Sequence, residues 1–404
     1  MPIGVIHRSL SGFYDVYPLS SVSSDKLSHT EGTETIRAAS DKPLQPGDAI
    51  DAFGVKTSEE TTHPVETIVQ EGRADPARTI TPGRTADSNE AEHPLTEKAY
   101  MARLIRTVAR GRFRKGDLVP LVGDHVEFSK LGPEDDRMGR IERILPRKNE
   151  LVRPPLANLD ALWIVFALTE PTLSLKVLDR MLVLAEMQHV SPVLILTKFD
   201  LLGCRPVAQL KTTPPLTVGA LQAIYTSIGY PVHILSLQEK HVLSSSCGAW
   251  AAENERILAE TLPSLLAGGR YVAVAGPSGV GKSTLISTLS PNFRLERGEV
   301  SKKTERGRHT TRVVSFIPVA GGWVADTPGF TSLELSGTPH VLAAAMPEFL
   351  LYAPSCRFRA CLHLHEPGCA VKEALARGEI AHHRYEHYVQ FAQELHEKEN
   401  MRFR

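Results

Sequence analysis

The sequence predicts a multidomain α/β protein. It should comprise a small N-terminal β-barrel, a central doubly wound sheet domain and a helical C-terminal domain. Three observations predict this. Short strands broken by glycines recur around residues 3–18 and 99–145. Nearly all-apolar strands then alternate with amphipathic helices, and the last of them leads into Gly276-Pro-Ser-Gly-Val-Gly-Lys-Ser-Thr284. Three cysteines and a histidine crowd into residues 356–369.

A chain of 404 residues has room for two or three domains, and 42% hydrophobic content supplies real cores. The formal net charge is zero, so no global field selects a nucleic acid and any such surface must be local. No apolar run approaches the roughly 18 residues of a membrane span, so no membrane partner is expected. The start of the chain lacks the pattern of a signal or transit peptide. The five cysteines are Cys204, Cys247, Cys356, Cys361 and Cys369. The C-terminal cluster of three suggests a metal site in a reducing compartment rather than a disulfide framework, with the cytoplasm as the expected location.

Residues 3–18 read as a bent strand pair with Gly12 at the corner. Residues 19–97 are polar, acidic and almost without aromatics, Phe53 apart. They cannot bury enough surface to offset their ordering entropy and read as a disordered insertion, with a possible remnant at Ala49–Val55. Strands are expected at Ala102–Val108, Asp117–Val122, Gly123–Phe128 and Gly139–Leu145, which together suggest a five-stranded barrel. This segment is basic: Arg103, Arg106, Arg110, Arg112, Arg114, Lys115, Arg137, Arg140, Arg143, Arg147, Lys148 and Arg153. An oligonucleotide-binding (OB) barrel with a basic face and a merely solvated cationic face remain equal readings.

Arg153-Pro-Pro155 marks a boundary, giving expected domains of 1–155, 156–336 and 337–404. Leu159–Ala167 and Pro192–Thr197 read as buried strands of a parallel sheet. Leu173–His189, Leu221–Ile228 and Trp250–Leu266 read as helices, and Val232–Ser236 as a strand. Tyr271–Ala275 is the strand before the glycine-rich loop, and Arg312–Pro318 pairs with Gly322–Asp326. Helices are expected at 340–350 and from about Ala381 to Lys398.

The loop reads G-x-x-x-x-G-K-S between a strand and a helix, the context a phosphate loop needs. Gly276, Gly279 and Gly281 let backbone N–H groups of Ser278, Val280 and Thr284 converge on phosphate, and the helix N-terminus adds positive dipole. Pro277 has no N–H to offer. Lys282 should reach the β- and γ-phosphates and Ser283 should ligate Mg²⁺. Thr197-Lys198-x-Asp200 ends a buried strand. Its carboxylate can accept from guanine N1–H and N2–H₂ together, a donor pair adenine lacks, while the Lys198 stem lies along the base. Ser236 could support the base edge. These motifs disfavour an ATP-dependent enzyme. Asp326-x-x-Gly329 follows the next strand: Asp326 would hold Mg²⁺ through water and the Gly329 N–H would sense the γ-phosphate. Between them lies Arg306-Gly-Arg-His-Thr-Thr311. Thr310 or Thr311 could complete the Mg²⁺ shell. His309 could orient or deprotonate the attacking water, or contact phosphate or RNA.

Cys356-x₄-Cys361-x-His363-x₅-Cys369 offers three thiolates and an imidazole, a closed tetrahedral set for one structural Zn²⁺, with His365 as a competing ligand. The base-reading motif precedes the phosphate loop here, the reverse of ordinary small GTPases. The segment after Gly329 therefore leads straight into the cysteine-bearing domain, which could receive the γ-phosphate state as a movement.

This motif order, the OB-like barrel and the Cys/His tail resemble the circularly permuted small-ribosomal-subunit-dependent GTPase A family (RsgA, YjeQ or EngC). The matching residues are Ser11–Val16, Gly123-Asp124, Leu178-Asp-Arg180, Ile228-Gly-Tyr230, Ser278–Ser283, Arg306–Thr311, Asp326–Phe330 and Glu366–Val371. They span nearly the whole chain apart from 19–97. The resemblance implies a cytoplasmic bacterial GTPase converting GTP to GDP, stimulated by the small ribosomal subunit late in its maturation, whose barrel and zinc domain contact rRNA; the sequence shows no oligomer interface and a monomer is expected. It gives the water-orienting role to His309, since Phe330 stands where Ras-like enzymes carry a glutamine. The alternative is a GTP-clamped rRNA-binding assembly factor that barely hydrolyses. Thr197 stands where Asn is usual, so a loop-bracing amide is lost and guanine affinity is expected to weaken.

Overall fold

The computed structural model describes residues 1–10, 12–19, 96–111, 113, 119–131, 138–238, 243, 247–248, 250–291, 293, 314–326 and 334–402. All of these lie in one compact unit. The Ala49–Val55 remnant falls outside the described residues, as does almost all of the insertion.

The N-terminal strands are β1 (Ile3–Leu10), β2 (Phe13–Pro18), β3 (Ile105–Ala109), β4 (His125–Lys130) and β5 (Met138–Ile144). They close in the order β1-β2-β3-β5-β4, with β4 returning antiparallel to β1 and β3 parallel to β5. Closure leaves no free edge, and alternating residues such as Val5, Val16, Val126, Phe128 and Ile141 fill the interior. Two expectations change. Ala102 lies in the last turn of helix α1 (Glu97–Arg103), capped by Thr96, so the strand starts only at Ile105. Tyr100 explains the helix: it is buried and donates its hydroxyl to Phe316 O at 2.7 Å. Within the expected strand Asp117–Val122, the described residues 119–122 form no strand; only Val122 bridges to Leu156.

Gly123 (φ +96°) crosses so close to the chain that an added Cβ would lie 1.9 Å from Ala157 O. The next residue, Asp124, is fully buried and accepts from Arg147 Nε and Nη2 at 2.7 and 2.8 Å. This Gly-Asp pair fastens the barrel to the β6 (Glu150–Leu151) and β7 (Leu156–Ala157) hairpin.

The central sheet has six strands. They are β8 (Ala161–Ala167), β9 (Ser191–Thr197), β10 (Val232–Ile234), β11 (Tyr271–Ala275), β12 (Phe316–Val319) and β13 (Gly322–Asp326). The order is β10-β9-β8-β11-β13-β12, parallel except for β12. β8 and β9 are buried along nearly their whole length, as apolar runs without alternation require. Helix α2 (Leu175–Met187) follows its Ser174 cap. Helix α3 (Val218–Ser227) starts three residues before the expected Leu221 because Thr217 caps it. The expected helix Trp250–Leu266 is divided into α4 (Trp250–Arg256), a π-helical stretch (Ile257–Thr261) and α5 (Leu262–Leu266). Pro263 accompanies the break: it cannot donate to the preceding turn of a regular helix. Helix α6 (Lys282–Leu289) follows the phosphate loop.

The C-terminal region contains α7 (Pro339–Ala344), α8 (Pro347–Leu350), α9 (Ala370–Ala376) and α10 (His382–Arg402). Its core includes Val183 and Leu184 of α2, together with Phe349, Tyr388 and Phe391.

Candidate functional site

Because β8, β9, β10, β11 and β13 are parallel, the segments that follow them emerge at one edge of the sheet. That is the crevice where such sheets bind ligands. The phosphate loop leaves β11, the base-reading turn leaves β9, Ser236 follows β10, and Asp326 ends β13.

Gly276 has φ +148°, and a Cβ there would sit 2.1 Å from Val165 O; the loop can pass β8 only as glycine. Gly279 and Gly281 also have positive φ, at 81° and 100°. Lys282 Nζ donates to Gly276 O at 2.8 Å and Pro277 O at 2.7 Å, so the lysine lies along its own loop. Burial holds the Lys282 pKa below the usual lysine range, against the pull of Asp326. Burial likewise raises Asp326, with Lys282 and Ser283 opposing it. The Ser283 hydroxyl is 3.3 Å from Asp326 Oδ2, which places a hydroxyl and a carboxylate side by side. Such a hard-oxygen pair beside a phosphate loop fits Mg²⁺. Ser278 and Thr284 are exposed, while Val280 is buried.

The base-reading turn is tied to that loop directly. Thr197, fully buried, donates its hydroxyl to Val280 O at 2.6 Å. The brace expected to vanish with the usual asparagine is therefore supplied by a hydroxyl. Lys198 (φ +63°) directs Nζ to Glu170 O. Asp200 accepts from the Ser236 hydroxyl, and the Ser236 N–H donates to Asn254 Oδ1 at 2.8 Å. Asn254, Glu170 and Trp250 carried no sequence signal. Each acts through a contact far from it in the chain.

His309, Thr310, Thr311 and Gly329 lie outside the described residues, as does Phe330.

The structure brings the Cys356, Cys361 and Cys369 thiols and the His363 ring nitrogen within 4.8 Å of one another. His363 Nδ1 is 3.6 Å from Cys356 Sγ and 3.4 Å from Cys369 Sγ. Four soft and borderline donors at these separations fit one tetrahedral zinc. His365 is exposed and outside the set. Helix α10 pins the surrounding backbone, with the Tyr385 hydroxyl on His363 O at 2.7 Å and that of Tyr388 on Leu362 O.

Cys204 and Cys247 form a disulfide, whereas the sequence reading expected a metal site in a reducing compartment and no disulfide framework. Among the described residues of the basic barrel segment, Arg106 pairs with Asp15, Arg110 with Glu142, Arg143 with Glu127, Arg147 with Asp124 and Glu150, and Lys148 with Asp160. No helix among the described residues is long and apolar enough to cross a membrane.

Comparison with known proteins agrees with this geometry. A family model described as RsgA GTPase matches residues 144–336, and one for the RsgA N-terminal domain matches 99–141. The chain is 43% identical over 290 residues to the small ribosomal subunit biogenesis GTPase RsgA of Limosilactobacillus fermentum, covering 72% of this chain and 89% of that protein. It is 37% identical over 305 residues to the Bacillus subtilis protein of the same name, covering 75% and 93%. The crystal structure of YloQ, a circularly permuted GTPase, aligns with a TM-score of 0.59 at 30% identity, covering 98% of this chain and 96% of that one. YjeQ from Thermotoga maritima aligns at 0.55 with 32% identity, covering 74% and 92%.

Proposed function

The chain belongs to the RsgA GTPase family, and from that premise we propose that it binds the small ribosomal subunit with GTP bound and leaves after hydrolysis. It is a GTPase of small-subunit biogenesis. One observation carries the nucleotide assignment: Thr197 joins the base-reading turn to the phosphate loop at a single sheet edge.

In this reading, Lys282 exchanges its loop carbonyls for phosphate oxygens. Asp200, oriented by Ser236, accepts from guanine. Ser283, Asp326 and one of Thr310 or Thr311 hold Mg²⁺, which when bound neutralises charge on the β- and γ-phosphates. His309 positions the attacking water, and Gly329 reports the γ-phosphate. Cys356, Cys361, His363 and Cys369 hold one structural zinc. The barrel and the zinc-bearing region are the candidate rRNA faces of a cytoplasmic monomer. The three regions 1–155, 156–336 and 337–404 act as its domains.

Lys398 of α10 donates to Leu335 O at 3.2 Å, just beyond the segment that follows Asp326. The same helix packs on the zinc cluster. In this reading, α10 relays loss of γ-phosphate to the cluster.

The test is GTP hydrolysis by the full chain with and without small subunits. Strong stimulation, lost in His309→Ala with binding intact, is expected. GTP-dependent subunit binding without stimulation would instead favour the clamp, whose basis in the sequence is Phe330.

A further inference from the structure

Cys204 and Cys247 take no part in the mechanism above, yet they stand at the base-reading corner. Asp200 sits in a tight turn in which the Gly203 N–H donates to Asp200 O at 2.9 Å and the Cys204 N–H to Phe199 O at 3.1 Å. Lys198, Gly203 and Cys204 have φ of 63°, 62° and 54°. Two of the three are not glycine, so the turn holds a conformation that side chains resist and depends on ties from outside.

Three ties come from the stretch 247–254. Cys247 is disulfide-bonded to Cys204 across a Cα separation of 5.4 Å. Trp250 meets Phe199 edge-on, with ring centroids 4.8 Å apart. Asn254 holds the backbone of Ser236, whose hydroxyl donates to Asp200. The disulfide therefore links the turn that carries Asp200 to the entrance of the helix that positions its hydroxyl partner. Both cysteines are partly exposed, so an external thiolate can reach them.

We propose that Cys204–Cys247 is a reversible thiol–disulfide site that sets guanine-nucleotide affinity: the oxidised pair fixes the Asp200 turn against α4, and reduction loosens it. The proposal rests on the guanine reading of Asp200. The co-reactant is a dithiol, small or protein-borne. Its thiolate attacks one sulfur and forms a mixed disulfide, and the other cysteine leaves as thiolate. The second thiol of the reductant then displaces the first cysteine. In sum the Cys204–Cys247 bond gains two electrons and two protons to give two thiols, while the reductant closes its own disulfide.

The experiment measures binding of a fluorescent GDP analogue to the full chain in three states: oxidised, reduced with dithiothreitol, and reoxidised. Thiol counting and zinc content are followed throughout, because the zinc cysteines must stay unchanged. Reduction should weaken binding about three- to tenfold, chiefly through faster dissociation, the effect of loosening one hydrogen bond in the set. Reoxidation should restore it. The C204S/C247S double variant should bind like the reduced protein and ignore dithiothreitol. Unchanged affinity after the bond is shown to be broken overturns the proposal, as does a double variant that binds like the oxidised protein. If the variant does not fold, the reduction and reoxidation cycle of the wild type decides alone. Asp200→Asn separates the two levels. A variant that still prefers GTP over XTP removes the base reading itself. A switch to XTP with no effect of reduction removes only the redox site.

Discussion

At the scale of single residues, Thr197 makes the sharpest test. Its hydroxyl is the only side-chain group among the described residues seen to join the base-reading turn to the phosphate loop, through Val280 O. Thr197→Val keeps shape and burial and removes the donor. It leaves a buried carbonyl short of a partner, so nucleotide affinity should fall about three- to tenfold. Thr197→Ser should bind within about twofold of wild type, because the hydroxyl stays. Equal binding by all three in a calorimetric titration would show that the brace is idle. The phosphate loop and the cysteine cluster were legible in the sequence because their ligands are contiguous or closely spaced. The Thr197 brace was not legible in the sequence, because its partner lies 83 positions away and is a backbone carbonyl.

At the scale of elements, helix α10 is fastened to α2 by buried charge. Arg384 is fully buried and donates to Glu348 at 2.8 and 3.0 Å and to Asp179 at 2.9 Å. Burial opposes the Asp179 charge, but Arg384, His387 and Tyr225 hold its carboxyl below the usual range. Arg384→Met leaves two buried carboxylates without their cation and should cost about 3–5 kcal/mol. A loss below about 1 kcal/mol in urea unfolding would mean that water or His387 replaces the guanidinium. The barrel meets the sheet at His7, caged by Tyr17, Tyr100, Tyr271, Phe316 and Trp323. Its ring nitrogens lie 3.2 Å from the Tyr100 and Tyr271 hydroxyls. Burial, with a smaller push from His125, lowers its pKa from 6.5 to about 3. Between those values the unfolded chain binds more protons, so stability should fall as pH drops. The loss should be about 1.4 kcal/mol per unit below roughly pH 6.5. His7→Gln keeps a hydrogen-bonding amide and cannot titrate. Comparing unfolding at pH ~7 and ~5.5, wild type should lose about 1 kcal/mol more than the variant; parallel losses would clear His7. Helix α1 escaped the sequence reading for a related reason. Its seven residues are too few for a clear period, and they fold because Tyr100 enters this cage.

At the scale of the whole molecule, the order of the elements decides which region follows the nucleotide site in the chain. In this chain the residues after Asp326 continue into the region of the cysteine cluster, and the first described ones, Glu334 and Leu335, meet Lys398 near the C-terminal end of α10. The sequence order foretold that continuity. The contact was invisible, because Lys398 reaches back 63 positions to a backbone carbonyl. Lys398 also lies 3.2 Å from Glu394, which in turn holds Arg180 of α2. Lys398→Ala should therefore leave nucleotide binding and unstimulated hydrolysis within about twofold, since neither Asp326 nor Lys282 is touched. It should narrow the difference in small-subunit affinity between the GTP- and GDP-bound forms. If that difference is carried by α10, the variant's two forms should bind subunits alike in a sedimentation assay. If the difference survives at full size, the γ-phosphate signal leaves the nucleotide by another path, and the region of the cysteine cluster is an anchor rather than a responder.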